Sequence, residues 1–241
     1  MLFFAGVWFP ADFKSDQIKK ERVNIAYREK EKALTARLKN LGVELANIEI
    51  YLQAFKHERV IAIWVKNKAE KKYQLLGEMP FCAGSGKLGP KNQQGDKQIP
   101  EGFYFIDRFH PESKYYLSLG LNYPNAADKA RSKAANLGGD IFIHGKCLSL
   151  GCIAITDEGI KELYVLTVEA HQNGQREIPV HIFPAKLTQE NMAELELMTR
   201  NNPEHLKFWR ELRTGYDYFA LHRIPPEITF AKNGTYQLLK R

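Results

Sequence analysis

Two apolar runs, Ile141-Phe142-Ile143 and Ile153-Ala154-Ile155, enclose the segment His144-Gly145-Lys146-Cys147-Leu148-Ser149-Leu150-Gly151-Cys152. Short runs rich in β-branched residues read as buried strands. The segment therefore puts a histidine at the end of one strand and a cysteine at the start of the next, where side chains are held in place. A base and a thiol are the minimum parts of a cysteine nucleophile. The glycine before Cys152 lets backbone amides approach a developing oxyanion, so the amides of Leu150 and Gly151 are the candidate oxyanion donors, with that of Cys152 beside them.

A second patch runs Cys82-Ala-Gly-Ser-Gly-Lys-Leu-Gly-Pro-Lys91, then Gly95-Asp96, then Ile99-Pro100-Glu101-Gly102-Phe103-Tyr104. Together the two patches resemble the YkuD-type L,D-transpeptidase catalytic domain, in which a His-Gly precedes Ser-His-Gly-Cys or Ser-x-Gly-Cys and a Gly-rich turn leads into a strand through a motif similar to Ile99–Tyr104, Thr-Pro-x-Gly-x-Tyr. The short interval between His144 and Cys152 looks like the YafK-like branch. The resemblance spans about residues 48–184. It implies Cys152 as nucleophile, His144 as its base, Gly145 as the residue that orients the imidazole, and Ser149 as the motif serine. Lys87, Lys91, Tyr104 and Lys146 are the candidate substrate contacts. The implied reaction is attack on a diaminopimelate carbonyl of a peptidoglycan stem peptide, departure of D-Ala, and a thioester. An amine acceptor makes the enzyme a transpeptidase. Water makes it an L,D-carboxypeptidase, an endopeptidase or another murein-peptide hydrolase, and the same chemistry cuts a link between murein and an attached protein. Two positions depart from the family pattern: Leu150 stands where many members have His, and Ala154 where many have Arg. No cofactor is implied.

The expected architecture is a mainly β, sandwich-like domain over 47–185 with flanking helices, α+β overall. An apolar segment and an amphipathic helix occupy 1–46, and a helical and extended appendage occupies 186–241. Ile18, Val23, Ala26, Leu34, Leu38 and Leu41 recur at helical spacing up to Gly42. Residues 48–55, 60–65 and 73–79 read as a three-strand meander, and 80–100, rich in Gly, Pro, Lys and Asn, as loop. Strands are expected over 103–109 and 115–121, followed by an insertion with a short helix over 126–135 that is placed to act as a lid. Thr156 is a good helix N-cap, and Gly174 marks the end of that helix. Pro179 marks residues 178–183 as an edge strand or a strand start. Helices follow over 187–198 and 204–218, and Asn233-Gly234 signals a closing hairpin.

The charge is +7 and the three cysteines are Cys82, Cys147 and Cys152. An odd, low count argues against a disulfide scaffold and leaves at least one free thiol. Lys and Arg are scattered, so no nucleic acid is expected, whereas carboxylate-rich stem peptides suit the charge. No run reaches membrane-spanning length. Met1 to Phe9 is apolar without a basic start, either the remnant of a secretory signal or a segment packed on the domain. A periplasmic or cell-envelope location follows from the resemblance alone.

Three other chemistries compete. Gly84-Ser85-Gly86-Lys87-Leu88-Gly89 lacks the spacing and the Ser/Thr of a phosphate loop. His144, Cys147 and Cys152 could ligate zinc, with His171 or His181 as the fourth ligand, but His-x2-Cys-x4-Cys is not a standard knuckle. A non-catalytic peptidoglycan-binding module is the third.

Overall fold

The protein is described here from a computed structural model, which covers residues 12–200 and 202–239; the apolar start of the chain lies outside them. The elements are Phe13–Ile18 (α1), Glu21–Lys39 (α2), Ile48–Phe55 (β1), Val60–Asn67 (β2), Gln74–Pro80 (β3), Gly102–Ser113 (β4), Tyr116–Leu121 (β5), Ala126–Arg131 (α3), Phe142–His144 (β6), Ile153–Ala154 (β7), Asp157–Gln172 (α4), Ile178–Phe183 (β8), Gln189–Met198 (α5), Pro203–His222 (α6), Ile228–Phe230 (β9) and Tyr236–Leu238 (β10). The fold is α+β as expected, with helix at 35% exceeding strand at 26% because both faces of the sheet are covered by helices.

One eight-stranded mixed sheet has the order β3-β2-β1-β8-β4-β5-β6-β7. The meander β1-β2-β3 forms as expected for residues 48–55, 60–65 and 73–79. The position of β8 was not expected in full. It lies in the sheet interior, parallel to β1 and antiparallel to β4, so Pro179 marks a strand start and not an edge. Its pairing with β1 begins at Val180, one residue past the proline that has no N–H to give.

Strand alternation divides the core. Ile50, Leu52, Val180 and Ile182 face one cluster with Val23, Leu34 and Leu38 of α2 and Leu163, Leu166 and Val168 of α4. Phe55, Phe103 and Phe183 face another, with Phe208, Trp209 and Leu212 of α6 and Tyr236 of β10. The segment beyond residue 185 thus completes the second face of the same sheet. At the other end, the single helix expected from Ile18 to Gly42 is broken into two, because Lys20 takes an extended conformation between them. The break lets Phe13 pack on Phe109 and His171, with ring centroids 5.0 and 3.9 Å away.

The chain just after β3 returns to β7, the far edge of the sheet. Cys82 N–H donates to the Ala154 carbonyl at 2.9 Å, and Ala83 bridges Ala154 in antiparallel sense. The Gly-rich loop is thereby laid against the strand that follows the candidate nucleophile.

His181 is fully enclosed beside Phe103 and hydrogen-bonded to the Tyr51 hydroxyl at 2.7 Å. Burial drives its pKa down to about 3. An unfolded chain takes up this proton near the ordinary value of about 6.5, so the folded state loses stability as pH falls from there toward 3. Denaturant titrations should show this loss, and a His181→Phe variant should lack most of it; an equally acid-sensitive variant would assign the effect elsewhere.

Candidate active site

His144 ends β6 and Cys152 precedes β7, and the two strands run parallel, with Ile143 opposite Ile153 and His144 opposite Ala154. The His144 ring is buried and stacks on Tyr115 with centroids 4.5 Å apart. Its Nδ1 lies 2.6 Å from the Gly145 carbonyl oxygen. A carbonyl only accepts, so Nδ1 carries the proton and Nε2 the lone pair. Gly145 therefore orients the imidazole through its backbone.

Glycine is required at 145 by close approach. A Cβ there would lie 2.6 Å from the Asp157 carboxylate and 2.9 Å from the Tyr115 carbonyl. The same Asp157 oxygen accepts the Lys146 N–H at 2.7 Å, fixing the turn that leaves the strand. Gly145→Ala should destabilise the protein by about 1–3 kcal/mol and slow any Cys152 chemistry by displacing the imidazole. Thermal melts and alkylation kinetics check both.

Cys152 is partly exposed and is the free cysteine among the described residues. Its Sγ accepts from the Phe142 N–H at 3.4 Å and donates to the Asp140 carbonyl at 3.5 Å. No hydrogen bond joins it to His144 in this state. Catalytic hydrogen bonds are commonly long before substrate binds. Burial pushes the Cys152 thiol up; the Phe142 amide opposes that shift, Asp140 reinforces it and Lys91 opposes it. Burial likewise pushes His144 down, against the pull of the Gly145 carbonyl. Burial is the larger influence on both groups, and it favours the neutral thiol and the neutral imidazole.

Ser149 closes the nucleophile turn. Its hydroxyl donates to the Cys152 carbonyl at 2.7 Å and accepts the Cys152 N–H at 3.1 Å. The Gly151 N–H donates to Ser85 Oγ at 2.7 Å, and Ser85 in turn donates to the Lys97 carbonyl at 2.8 Å. Gly151 has φ +92°, a conformation only glycine adopts readily. Two of the three oxyanion candidates are thus held by serine hydroxyls in this structure. Leu150 contributes an exposed side chain.

The proposed substrate contacts divide. Lys87 and Lys146 are exposed at the site's rim. Lys91 is buried and bonded to Asp96 at 2.5 Å and to the Gln93 carbonyl at 2.8 Å. Asp96 also accepts the amides of Asn92, Gln93 and Gln98. Burial alone would raise the Asp96 carboxyl, but the Lys91 ammonium and these amides outweigh it and hold it low. This pair shapes the loop from inside. Tyr104 is spent within the fold, its hydroxyl donating to the Glu101 carbonyl at 3.1 Å and to the Asp128 carboxylate at 3.0 Å. It braces the base of the insertion helix and is not free to meet a substrate.

Cys147 is disulfide-bonded to Cys82 with Cα atoms 5.2 Å apart. This withdraws Cys147 from the zinc set considered above, and no cluster of three metal-ligating side chains occurs among the described residues. The bridge staples the Gly-rich loop to the His144–Cys152 segment. A thiol reagent should label the native protein once, at Cys152. Removing the bridge by Cys82→Ser with Cys147→Ser should cost about 2–4 kcal/mol, read by chemical denaturation. The insertion over 122–139 also reaches the loop, through Ser132 to the Asn92 carbonyl and Gln94 to the Asn136 carbonyl. Sequence reasoning passed over Ser85, Tyr115, Asp140 and Asp157. Only Ser85, between two glycines of a loop already singled out, carried a visible signal.

A parallel strand pair carrying His-Gly and Ser-x-Gly-Cys, closed by a Gly-rich loop, defines the class. Residues 49–182 match the YkuD family, described as the L,D-transpeptidase catalytic domain, and the chain belongs to that family. Among curated proteins it is 38% identical over 200 residues to "Putative L,D-transpeptidase YafK" of Escherichia coli K12, covering 82% of this chain and 76% of that one. Among solved structures, the helical cell shape determining protein Pgp2 of Campylobacter jejuni aligns with TM-score 0.46 and 17% identity over 77% of this chain and 74% of that one. Bd1075 of Bdellovibrio bacteriovorus aligns with TM-score 0.42 and 21% identity over 70% and 59%.

Proposed function

We propose that the protein is a cysteine-dependent L,D-transpeptidase acting on diaminopimelate-containing peptidoglycan stem peptides in the periplasm or cell envelope. The observation that carries the reading is the placement of an imidazole fixed through Nδ1–H and a free thiol at two neighbouring parallel strands. His144 Nε2 takes the thiol proton as Cys152 Sγ attacks the carbonyl. D-Ala leaves with a proton returned from the imidazolium, and a thioester remains. The acceptor amine of a second stem then attacks the thioester, transfers its proton to His144 and releases the thiol. The amides of Gly151 and Cys152 receive the oxyanion once Ser85 and Ser149 turn aside.

One further fact supports the setting: a disulfide joins Cys82 and Cys147, and disulfides persist in oxidising compartments. Incubation with disaccharide-tetrapeptides, wild type beside Cys152→Ala, tests the proposal. Cross-linked dimers or D-Ala exchange, absent in the variant, support it. Shortened monomers alone make the protein a hydrolase of the same mechanism, and unchanged substrate with wild type rejects catalysis on these peptides.

A further inference from the structure

The Gly-rich loop stands between two cavities. One, beyond Pro90 to Gln93, reaches α6 and the β9–β10 hairpin and mixes cations with Glu204 and Glu211. The other, about 270 Å³, lies between the β1–β2 turn and Gly84 to Leu88. Its charged lining is Lys56, Arg59 and Lys87, with His57 beside them, and no carboxylate lines it.

Lys56 is already paired: its Nζ lies 2.9 Å from the buried Glu101 carboxylate and donates to the Gly89 and Ile99 carbonyls. Arg59 and Lys87 are different. Both side chains are exposed, and neither has an ion-pair partner among the described residues. Two unpaired cations face one small cavity across a glycine-lined wall. Ser85 belongs to that wall, and its Oγ is 2.7 Å from the amide of Gly151, the residue next to the nucleophile. An extended residue spans about 3.3–3.6 Å, so a peptide whose carbonyl meets Cys152 reaches the cavity within a few residues.

We propose that this cavity is a carboxylate-binding subsite in which Arg59 and Lys87 hold an acidic group of the peptide acylating Cys152. The inference rests on the function proposed above for the identity of the peptide. The guanidinium offers paired N–H donors matched to a carboxylate, and the ammonium adds a second charge-assisted hydrogen bond. Because Ser85 touches both the subsite and the Gly151 amide, filling the cavity and freeing that amide are movements of one loop.

The test uses the full chain carrying Cys152→Ala, titrated calorimetrically with L-Ala-γ-D-Glu-diaminopimelate-D-Ala and with forms amidated at one carboxyl at a time. Adding Arg59→Gln and Lys87→Gln is expected to weaken binding of the unmodified peptide about tenfold or more, with an unchanged melting temperature. One amidated peptide should show the same loss on the parent, and the charge variant should no longer distinguish it. Arg59→Lys should recover part of the affinity. Equal affinity of the charge variant, undiminished discrimination among the amidated peptides, or no binding to the parent overturns the subsite. If binding depends on Arg59 and Lys87 while wild type is never acylated, the subsite stands and the catalytic reading falls.

Discussion

Replacing His144 by glutamine is expected to slow acylation of Cys152 by a factor of ~10²–10⁴ and to change its pH dependence. In the wild type, burial holds the thiol above the ordinary value of about 8.5 and the imidazole below about 6.5, so both are neutral near pH 7. The proton then moves from sulfur to Nε2 during attack, and the rate should be nearly level between the two pKa values. Without the base only the thiolate reacts. The variant's rate should therefore climb about tenfold per pH unit until the thiol titrates. Thiol-specific alkylation followed by mass across pH 6–10 reads this directly. Parallel profiles for the two proteins would remove His144 from the mechanism. Glutamine keeps a donor near the Gly145 carbonyl, and a melting curve confirms that the fold survives.

The second large effect is structural. Glu101, entirely buried, accepts from Lys56 Nζ at 2.9 Å, from the Trp209 indole N–H at 2.7 Å and from the Gly89 N–H at 2.7 Å. One carboxylate thus ties the turn after β1, the Gly-rich loop and α6 together. Glu101→Ala leaves the Lys56 ammonium buried without its counter-charge and orphans two N–H donors. Breaking one side of a buried pair costs about 3–5 kcal/mol, so the variant should unfold at clearly lower denaturant. The double change Lys56→Met with Glu101→Leu should recover much of the loss, because no unpaired charge remains. If the single variant is as stable as wild type, this hub does not hold the loop.

Much of this was legible in the residues. Alternation over 48–55 and the apolar run over 60–65 located β1 and β2, and Thr156 does cap α4 through the Gly159 N–H. Asn233-Gly234 does turn β9 into β10. These are local signals, and local chemistry decides them. The interior place of β8 depends on parallel pairing with a strand more than 100 residues earlier, which no local pattern encodes. The Cys82–Cys147 bridge likewise depends on Cα atoms brought together across a sequence separation of 65. His144, Gly145, Ser149 and Cys152 fall together because they lie within nine consecutive residues. Tyr104 and Lys91 read as cleft residues because the Gly-rich loop and the strand entry after it resemble the family's cleft segments. Asp128 and Asp96, themselves half-buried, supply the partners that hold them inside.

The most direct measurement is the intact mass of the protein after brief exposure to a disaccharide-tetrapeptide and an acid quench. The account predicts an added mass equal to the substrate less D-Ala, located at Cys152, sensitive to hydroxylamine and absent from Cys152→Ala. An adduct that persists in Cys152→Ala, or a wild type that turns over substrate with no thioester at any time point, would contradict it.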